Sequence, residues 1–575
     1  MRNPICDVNR IIFRQNGVAL VVRPQNSEFI SMVSQLLKLT HDISNSILRI
    51  KKVSCTHTEW ARLYTSIQAG LHITQQVSIF IDDETKNFQD KEYLAHDFSC
   101  LPIDDLLCVY NALVSTIDIQ ATTNSLRSND LQLAIGMVVV KEGRDQMLDK
   151  MRSVYDNLDE ILVKAAKKTL QEIYTIDSLS VQYVPQLGYL VIVEEVNEPL
   201  LRCEDQYVFA YRQDGYSYFK SPITLELDEN IGDIRCDISD RQKSILLELE
   251  NLILTYEEGL HMLSYNLSCL DAIISLGTLA KELDFVRPSI SEDSVIIIKK
   301  GRHILQEMVV ESFVPNDTFV TTEKNIALIT GPNGSGKSVY IKQVGILVYL
   351  AHLGSWLPCE KAIIGLTDWI FARISTIETV SCPESAFAAD LTQVSRMLQS
   401  HTPRSLCLID EFGKGTSPID GIALLGTTIR HFIENKAKVF CVLHFTEIFH
   451  SCILDLDDQD SLASKCITPF CMQMYNPDKD NDANQLTSSN RTNRTNDNNP
   501  FYDENIDEDT VKLPLYSLGL GISKSSEGIA CAKSAGLPDR ILHRARDVKR
   551  AIESRSHIKP LSICNNGSLS NTVNS

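Results

Sequence analysis

Apolar positions recur at helical spacing through most of the first 290 residues. Phe29, Met32 or Val33, Leu36, Leu37 and Leu39 form one such run behind Ser27, which reads as its cap. The segment from Trp60 to Ile67 behaves the same way, so residues 20–135 are predicted to be mostly helical. A stripe of Met147, Met151, Val154, Leu158, Leu162 and Ala165 predicts a long helix over about 145–173. Leu249, Leu252, Tyr256, Leu260, Leu263, Leu267, Leu270 and Ile274 step by three or four residues and predict another over about 240–283. No proline falls between Pro222 and Pro288. One helix of that extent would reach about 60 Å at 1.5 Å per residue, an arm that packs along a second helix.

Between the arms the period shortens to two. Residues 181–184 alternate, 187–193 form a β run, and Asp214-Gly215 reads as a hairpin turn. The pattern is helix out, small β tip, helix back. Beyond residue 290, short apolar runs at 326–329, 405–409 and 438–443 read as buried strands between helices. Residues 466–512 are dominated by Asn, Asp, Thr and Ser and predict a disordered insertion. An ordered piece over 513–553 follows, ending in a helix with Arg540, Arg544, Arg546, Lys549 and Arg550, and 554–575 reads as a disordered tail.

At 575 residues the chain exceeds what one core organises and is predicted to divide into three or four domains. Its 43% hydrophobic and 22% charged content is that of ordinary globular protein. The longest apolar stretch, 344–357, is broken by His352 and is shorter than the roughly 18 residues of a membrane span. The N-terminus shows no apolar signal core, so secretion is not expected. Sixteen scattered cysteines without a Cys-x-x-Cys read as reduced packing residues of a cytosolic or nuclear protein. The formal charge of −19 excludes a generally basic surface but leaves room for a local phosphate-binding stripe.

The sharpest chemical signal is Gly331-Pro332-Asn333-Gly334-Ser335-Gly336-Lys337-Ser338, a complete G-x-x-x-x-G-K-S. It follows the strand run at 326–329 and opens a helical run from Val339, the context this motif requires. Loop and helix N-terminal N–H groups would cradle phosphates, being unpaired donors in a positive field. Lys337 would reach the β- and γ-phosphates, and the Ser338 hydroxyl would ligate Mg²⁺. A chance glycine loop leaves the agreement of strand, loop and helix unexplained. Asp410 and Glu411 end the strand run at 405–409. Asp410 there can hold the Mg²⁺ shell, and Glu411 can polarise the attacking water. Carboxylates at strand ends are common; paired with the phosphate loop they become a nucleotide hydrolysis signal. His444, just past the run at 438–443, is a candidate γ-phosphate sensor, against the commoner structural role of a lone histidine.

These residues resemble the MutS family, ABC-type ATPases that clamp DNA. The resemblance runs from about residue 20 to 550. It rests on Arg302-His303, Phe313-Val-Pro-Asn-Asp317, the phosphate loop, Asp410-Glu-Phe-Gly-Lys-Gly-Thr416, His444-Phe-Thr-Glu447 and Ala535-Gly-Leu-Pro538. Ser335, Phe412 and Lys414 depart from the commonest family pattern and resemble its meiotic branch.

The fold implied is multidomain and mixed. A long α-helical core and lever domain carries a small β-containing clamp tip, and a C-terminal α/β ABC-type phosphate-loop ATPase domain follows. The expected boundaries are core and lever 1–137, clamp 138–228, returning lever 229–290, ATPase 291–465, insertion 466–512 and helical dimerisation segment 513–553. The implied cofactors are ATP and Mg²⁺, with Mg²⁺ on Ser338 and Asp410. The implied partners are double-stranded and branched DNA, Holliday junctions included, and a MutS protein homologue 4 type subunit in a heterodimer. The implied location is the nucleus.

The family's serine-containing trans element aligns loosely with Ser385-Ala-Phe387, with Asp390 where a glutamate is usual. No Phe-x-Glu occurs in the first 140 residues, so the family's mismatch-reading N-terminal domain is expected to be missing. Residues 139–180 hold seven Lys/Arg and eight Asp/Glu. Lys164, Lys167 and Lys168 are their best phosphate-contact candidates, against the reading of a solvated helix face. Three functions stay open: a recombination clamp ATPase, a mismatch-repair ATPase, and a nucleotide-binding subunit that relies on its partner for turnover.

Overall fold

The computed structural model describes residues 4–52, 55–119, 140–173, 176–374, 386–449, 460–475, 513–523 and 528–554, with Ile453, Leu454, Leu456 and Asp458 between. It divides into two compact units, Gln25–Ala272 and Met1–Pro24 with Ile273–Ser575. The chain opens on α1 (Val8–Val22), which belongs to the second of these.

The helical unit contains α2 (Ser27–Leu37), α3 (Ile43–Lys51), α4 (His57–Asp82), α5 (Phe88–Phe98) and α6 (Ile103–Thr116). A capping box between Thr56 and Glu59 starts α4, satisfying end N–H groups that would otherwise go unpaired. Trp60, Leu63, Ile67, Ile73 and Val77 then bury one face of α4. Each such side chain contributes roughly 1.5–3 kcal/mol of transfer free energy. Two further helices, α7 (Gln146–Asp156) and α8 (Leu158–Glu172), lead to an antiparallel sheet in the order β1-β2-β4-β3. Its strands are β1 (Ser180–Val184), β2 (Gly188–Glu194), β3 (Val208–Gln213) and β4 (Tyr216–Lys220). Asp214 and Gly215 join β3 to β4 with φ of 52° and 83°, the paired positive values that a tight two-residue hairpin demands. Tyr189, Val191, Val193 and Phe219 share a core with Leu158, Leu162 and Ala165 of α8 and with Ile223 of α9 (Pro222–Asn230).

The chain returns through α10 (Ile234–Thr255) and α11 (Glu257–Glu282), and the boundary between the units falls inside α11. Gly70 on α4 admits Leu263 of α11: a Cβ at residue 70 would lie 2.9 Å from Leu263 Cδ2. By length and composition α11 is apolar enough to cross a membrane. However, Leu260, Leu263, Leu267, Leu270 and Ile273 are at most 4% exposed, so protein packing already covers that surface.

In the second unit a six-stranded sheet has the order β10-β11-β12-β8-β13-β14. These are β8 (Ile326–Thr330), β10 (Ile370–Arg373), β11 (Leu406–Asp410), β12 (Lys438–Val442), β13 (Ile467–Tyr475) and β14 (Leu513–Leu520). All pairs are parallel except β13–β14. Every residue of β8, β11 and β12 is buried because helices cover both faces, which explains their unbroken apolar runs. On one face lies α12 (Lys337–Leu353), whose Tyr340, Ile341, Val344, Leu347, Val348 and Ala351 also meet Ile296, Ile298, Val320 and Ile364. Those belong to a second sheet, β5-β9-β6-β7, of β5 (Ser289–Ser291), β6 (Ile296–Gly301), β7 (Asn316–Val320) and β9 (Lys361–Gly365). Held between two sheets, α12 is apolar nearly all round. On the opposite face are α13 (Ala386–Ser400) and α14 (Pro418–Asn435). Ser417 caps α14 by accepting from Asp420 N–H, with Pro418 at the first turn where its missing donor is harmless.

Several expectations change. The arm over 145–173 is two helices, interrupted at Asn157 (φ −93°, ψ 6°), and the arm over 240–283 is interrupted at Tyr256 (φ −105°, ψ 21°). Spacing alone does not register such a break, because the apolar stripe continues through it. The longest unbroken piece, the 26 residues of α11, spans about 39 Å rather than 60 Å. Asn26, not Ser27, precedes α2. Residues 467–475, assigned to the insertion, form β13, and 513–520, assigned to a helical segment, form the edge strand β14. Hydrogen bonding to β8 and to each other draws both into the sheet. Residues 4–24 group with the sheet unit rather than with helices α2 to α6, and residues 120–139 lie outside the described residues. Residues 476–512, 555–575 and Ser385 lie outside the described residues.

Candidate nucleotide site

The loop between β8 and α12 turns back on itself at three glycines. Gly331, Gly334 and Gly336 have φ of 147°, 77° and 97°, conformations in which a side chain would be strained. At Gly331 space is also short, since a Cβ would lie 3.0 Å from Met472 Cβ. Pro332 and Ser335 are buried, while Asn333 and Gly334 are exposed at the rim. The Ser335 hydroxyl donates to Pro332 O at 2.7 Å, which braces the turn from inside. The Lys337 ammonium, 5% exposed, donates to Gly331 O at 2.7 Å and Pro332 O at 2.8 Å. The lysine thus lies along the rim of its own loop, and its neighbouring N–H groups open the 17-residue α12. That arrangement is an anion cradle with a cation at its edge.

Asp410 and Glu411 lie at the C-terminal end of β11, two strands from β8. Asp410 is 5% exposed, and the Ser338 hydroxyl hydrogen-bonds its carboxylate. Burial pushes its pKa up; the Ser338 hydrogen bond opposes this, Glu411 adds to it, and Arg373 and Lys337 oppose it. Asp410 Oδ1 is buried without a hydrogen-bond partner. A buried carboxylate oxygen with no donor, beside a serine hydroxyl, is the environment of a hard-cation ligand. Among the described residues no three His, Cys, Asp or Glu converge on a metal position. A two-ligand arrangement of that kind suits Mg²⁺, which completes its shell with phosphate and water.

Glu411 takes a left-handed backbone, φ 51°, while its N–H donates to Val442 O at 3.1 Å. This turns its side chain out of the ladder. The Lys414 ammonium meets Glu411 Oε2 at 2.5 Å. Burial raises the Glu411 pKa, but Lys414, with Lys337 and His444 farther off, outweighs it and holds the carboxyl below its ordinary value. His444, two residues beyond β12, is half-buried and near enough to influence Glu411. The phosphate loop, Asp410, Glu411 and His444 therefore share one end of one sheet, the place where ligands bind in open α/β folds.

Two other groups at this end are absent from the motifs read in the sequence. Tyr516 on β14 lies against Gly336, where a Cβ would be 3.3 Å from Tyr516 Cδ1, and it has φ 55°. Asn316 pins that strand, donating to Tyr516 O at 2.9 Å and accepting from Leu518 N at 2.7 Å. A motif search cannot find Tyr516, because 180 residues separate it from Gly336. Arg373 ends β10 and donates to the main-chain carbonyl of Asp410 and to Asp390 on α13. Its only sequence trace is a charge at the end of an apolar strand.

Comparison with known proteins divides the chain near the same C-terminal boundary of the helical unit, but counts residues 1–24 with the helical part. Residues 1–277 match the family model described as MutS domain III, and residues 327–457 match MutS domain V. The chain is 30% identical over 588 aligned residues to MutS protein homolog 5 of Saccharomyces cerevisiae, covering 96% of this chain and 60% of that protein. It is 25% identical to DNA mismatch repair protein MutS of Clostridium botulinum strain Hall, covering 98% of this chain and 54% of that protein. To the protein of that name from Clostridioides difficile strain 630 it is 27% identical, over 72% of this chain and 42% of that one. The chain thus spans about half the length of the curated relatives it matches.

Proposed function

Because the chain belongs to the MutS family, we propose that it is an ATP-hydrolysing DNA clamp subunit acting in meiotic recombination in the nucleus. It would bind branched intermediates such as Holliday junctions, as a heterodimer with a MutS protein homologue 4 type subunit. The observation that carries the ATPase part is the meeting of Lys337, Ser338, Asp410 and Glu411 at one sheet end, with Asp410 Oδ1 left without a donor. The likeness to MutS protein homolog 5 along 96% of the chain supports the recombination role.

The loop N–H groups and Lys337 bind and orient the triphosphate; to reach it, Lys337 exchanges its carbonyl partners Gly331 and Pro332 for phosphate oxygens. Ser338 and Asp410 would hold Mg²⁺, which when bound neutralises charge on the β- and γ-phosphate oxygens. Glu411 orients water and accepts its proton, and His444 donates toward the γ-phosphate side. The helices α7, α8, α10 and α11 act as levers, and the β1–β4 sheet is the clamp tip.

The test is co-expression with a MutS protein homologue 4 type subunit, followed by binding to a four-way junction with and without ATP. The proposal expects a stable heterodimer whose junction complex changes its dissociation rate on ATP addition. No heterodimer, or tighter binding to a mismatched duplex than to the junction, contradicts it; the second outcome favours the mismatch-repair reading, consistent with the name of the bacterial relatives.

A further inference from the structure

Arg373 closes β10 opposite Ile409 in the parallel ladder with β11. Its side chain is 9% exposed, and it makes two contacts with different elements. One guanidinium N–H group donates to the backbone carbonyl of Asp410, and the other pairs with Asp390, itself buried in the first turns of α13. Three residues before Asp390, Phe387 packs on Gly415, where a Cβ would be 2.9 Å from Phe387 Cβ. Helix α13 therefore holds the 410–416 segment at both ends, at Asp410 through Arg373, which pairs with Asp390 and donates to the Asp410 main-chain carbonyl, and at Gly415 through an apolar contact. Between these grips sit the left-handed Glu411 and Gly413, whose backbone lies against Gly421. A non-glycine residue stays left-handed only where its surroundings over-determine the backbone.

We propose that Arg373 is a positioning residue for hydrolysis, tying the Asp410 backbone to α13 through Asp390 so that displacement of α13 changes the aim of Asp410 and Glu411. The planar guanidinium suits this task because its rigid fork serves two acceptors in fixed geometry, which an ammonium does not. Burial makes the pair directional as well: removing Asp390 leaves a buried cation without its partner. Anything that moves α13, including a subunit touching its N-terminal end, would be felt at the hydrolytic carboxylates. This inference rests on the hydrolytic role proposed above for Asp410 and Glu411.

The experiment uses the heterodimer with a MutS protein homologue 4 type subunit, containing this full chain or its Arg373→Lys, Asp390→Asn or Asp390→Glu variant. Affinity for a fluorescent ATP analogue with Mg²⁺, steady-state ATP turnover, melting temperature and amide hydrogen exchange over 410–416 are measured together. Binding should stay within about 3-fold in all variants, while turnover falls at least about 10-fold in Arg373→Lys and Asp390→Asn, as small misplacements at a reacting centre do. Asp390→Glu should recover most of it, and the double variant should be no worse than either single one. Exchange over 410–416 should quicken while α12 stays protected. Unchanged turnover with unchanged exchange overturns the proposal. So does a parallel loss of binding, turnover and protection throughout the sheet, which marks a merely structural pair. If Glu411→Gln leaves turnover of the heterodimer unchanged, the hydrolytic reading fails by itself, and the exchange measurement still decides whether Arg373 couples α13 to 410–416.

Discussion

The two units divide the chain's charge unequally. Residues 25–272 hold 21 Lys/Arg against 38 Asp/Glu, and the rest of the chain holds 34 against 36. Nearly the whole formal charge of −19 thus resides in the helical unit. The sheet unit is close to neutral, and the chemistry proposed for it rests on a few buried groups at one strand end. The helical unit is the part proposed to embrace DNA, yet on average it repels a polyanion. Its tip sharpens the contrast. Over 176–231 there are three basic residues against ten acidic ones, and all three are engaged internally. Arg202 and Arg212 pair with the buried Glu198, and Lys220 pairs with Asp228. A clamp of this composition would hold DNA by enclosing it rather than by pairing densely with phosphates.

The contrast can be broken at several points. The largest effect is expected at Lys337, where alanine should lower ATP affinity at least about 100-fold, since it removes the cation at a phosphate cradle. Nucleotide-free DNA binding by the heterodimer should not change; a parallel loss of both would merge the two functions into one region. Next is core packing. Phe432→Ala in the sheet unit should destabilise by about 3–5 kcal/mol and Leu263→Ala in the helical unit by about 2–5 kcal/mol, both side chains being fully buried. Denaturant unfolding followed by a probe in each unit reads whether each loss stays in its own unit.

A smaller, pH-dependent effect is expected at Lys438, which is 1% exposed at the start of β12 and donates to Ser294 Oγ and Arg404 O. Burial lowers its pKa to about 8, with Asp368 and Cys407 opposing. Below about pH 8 the native state carries the buried ammonium and its full penalty. Between there and the unfolded value near 10.4 the native state releases its proton first, so stability rises with pH. Relative to Lys438→Met, the unsubstituted chain should gain about 2–3 kcal/mol from pH 8 to pH 10; a flat difference contradicts the depressed pKa. The smallest effect concerns Lys164, Lys167 and Lys168, exposed on α8, with Lys168 4.0 Å from Glu226. Replacing all three by alanine should lower the salt dependence of junction binding by less than about one counterion, where three phosphate contacts would account for nearly three. A larger drop would restore the phosphate-contact reading for that helix.

What was legible in the sequence follows from how local each feature is. The phosphate loop occupies eight consecutive residues between a strand and a helix, so its spacing carried its geometry. Asp410 and Glu411 were readable because an unbroken apolar strand aims its last residues at one sheet end. Arg373 was not, because its partners Asp410 and Asp390 come from two other elements. Strands β13 and β14 were hidden because a polar stretch separates them and neither is buried enough to read as a core strand. The helical stripes were legible, but the interruptions at Asn157 and Tyr256 were not, since one backbone twist leaves the apolar spacing intact.

The central claim, that this sheet end hydrolyses ATP with Glu411 as its base, is tested most directly by ATP turnover of the heterodimer beside its Glu411→Gln variant, with nucleotide affinity measured in parallel. The amide keeps the shape but cannot accept the proton from water, so turnover should fall about 100-fold or more while ATP affinity holds. Equal turnover in the two proteins would contradict the assignment and leave this chain as a nucleotide-binding subunit whose partner carries the chemistry.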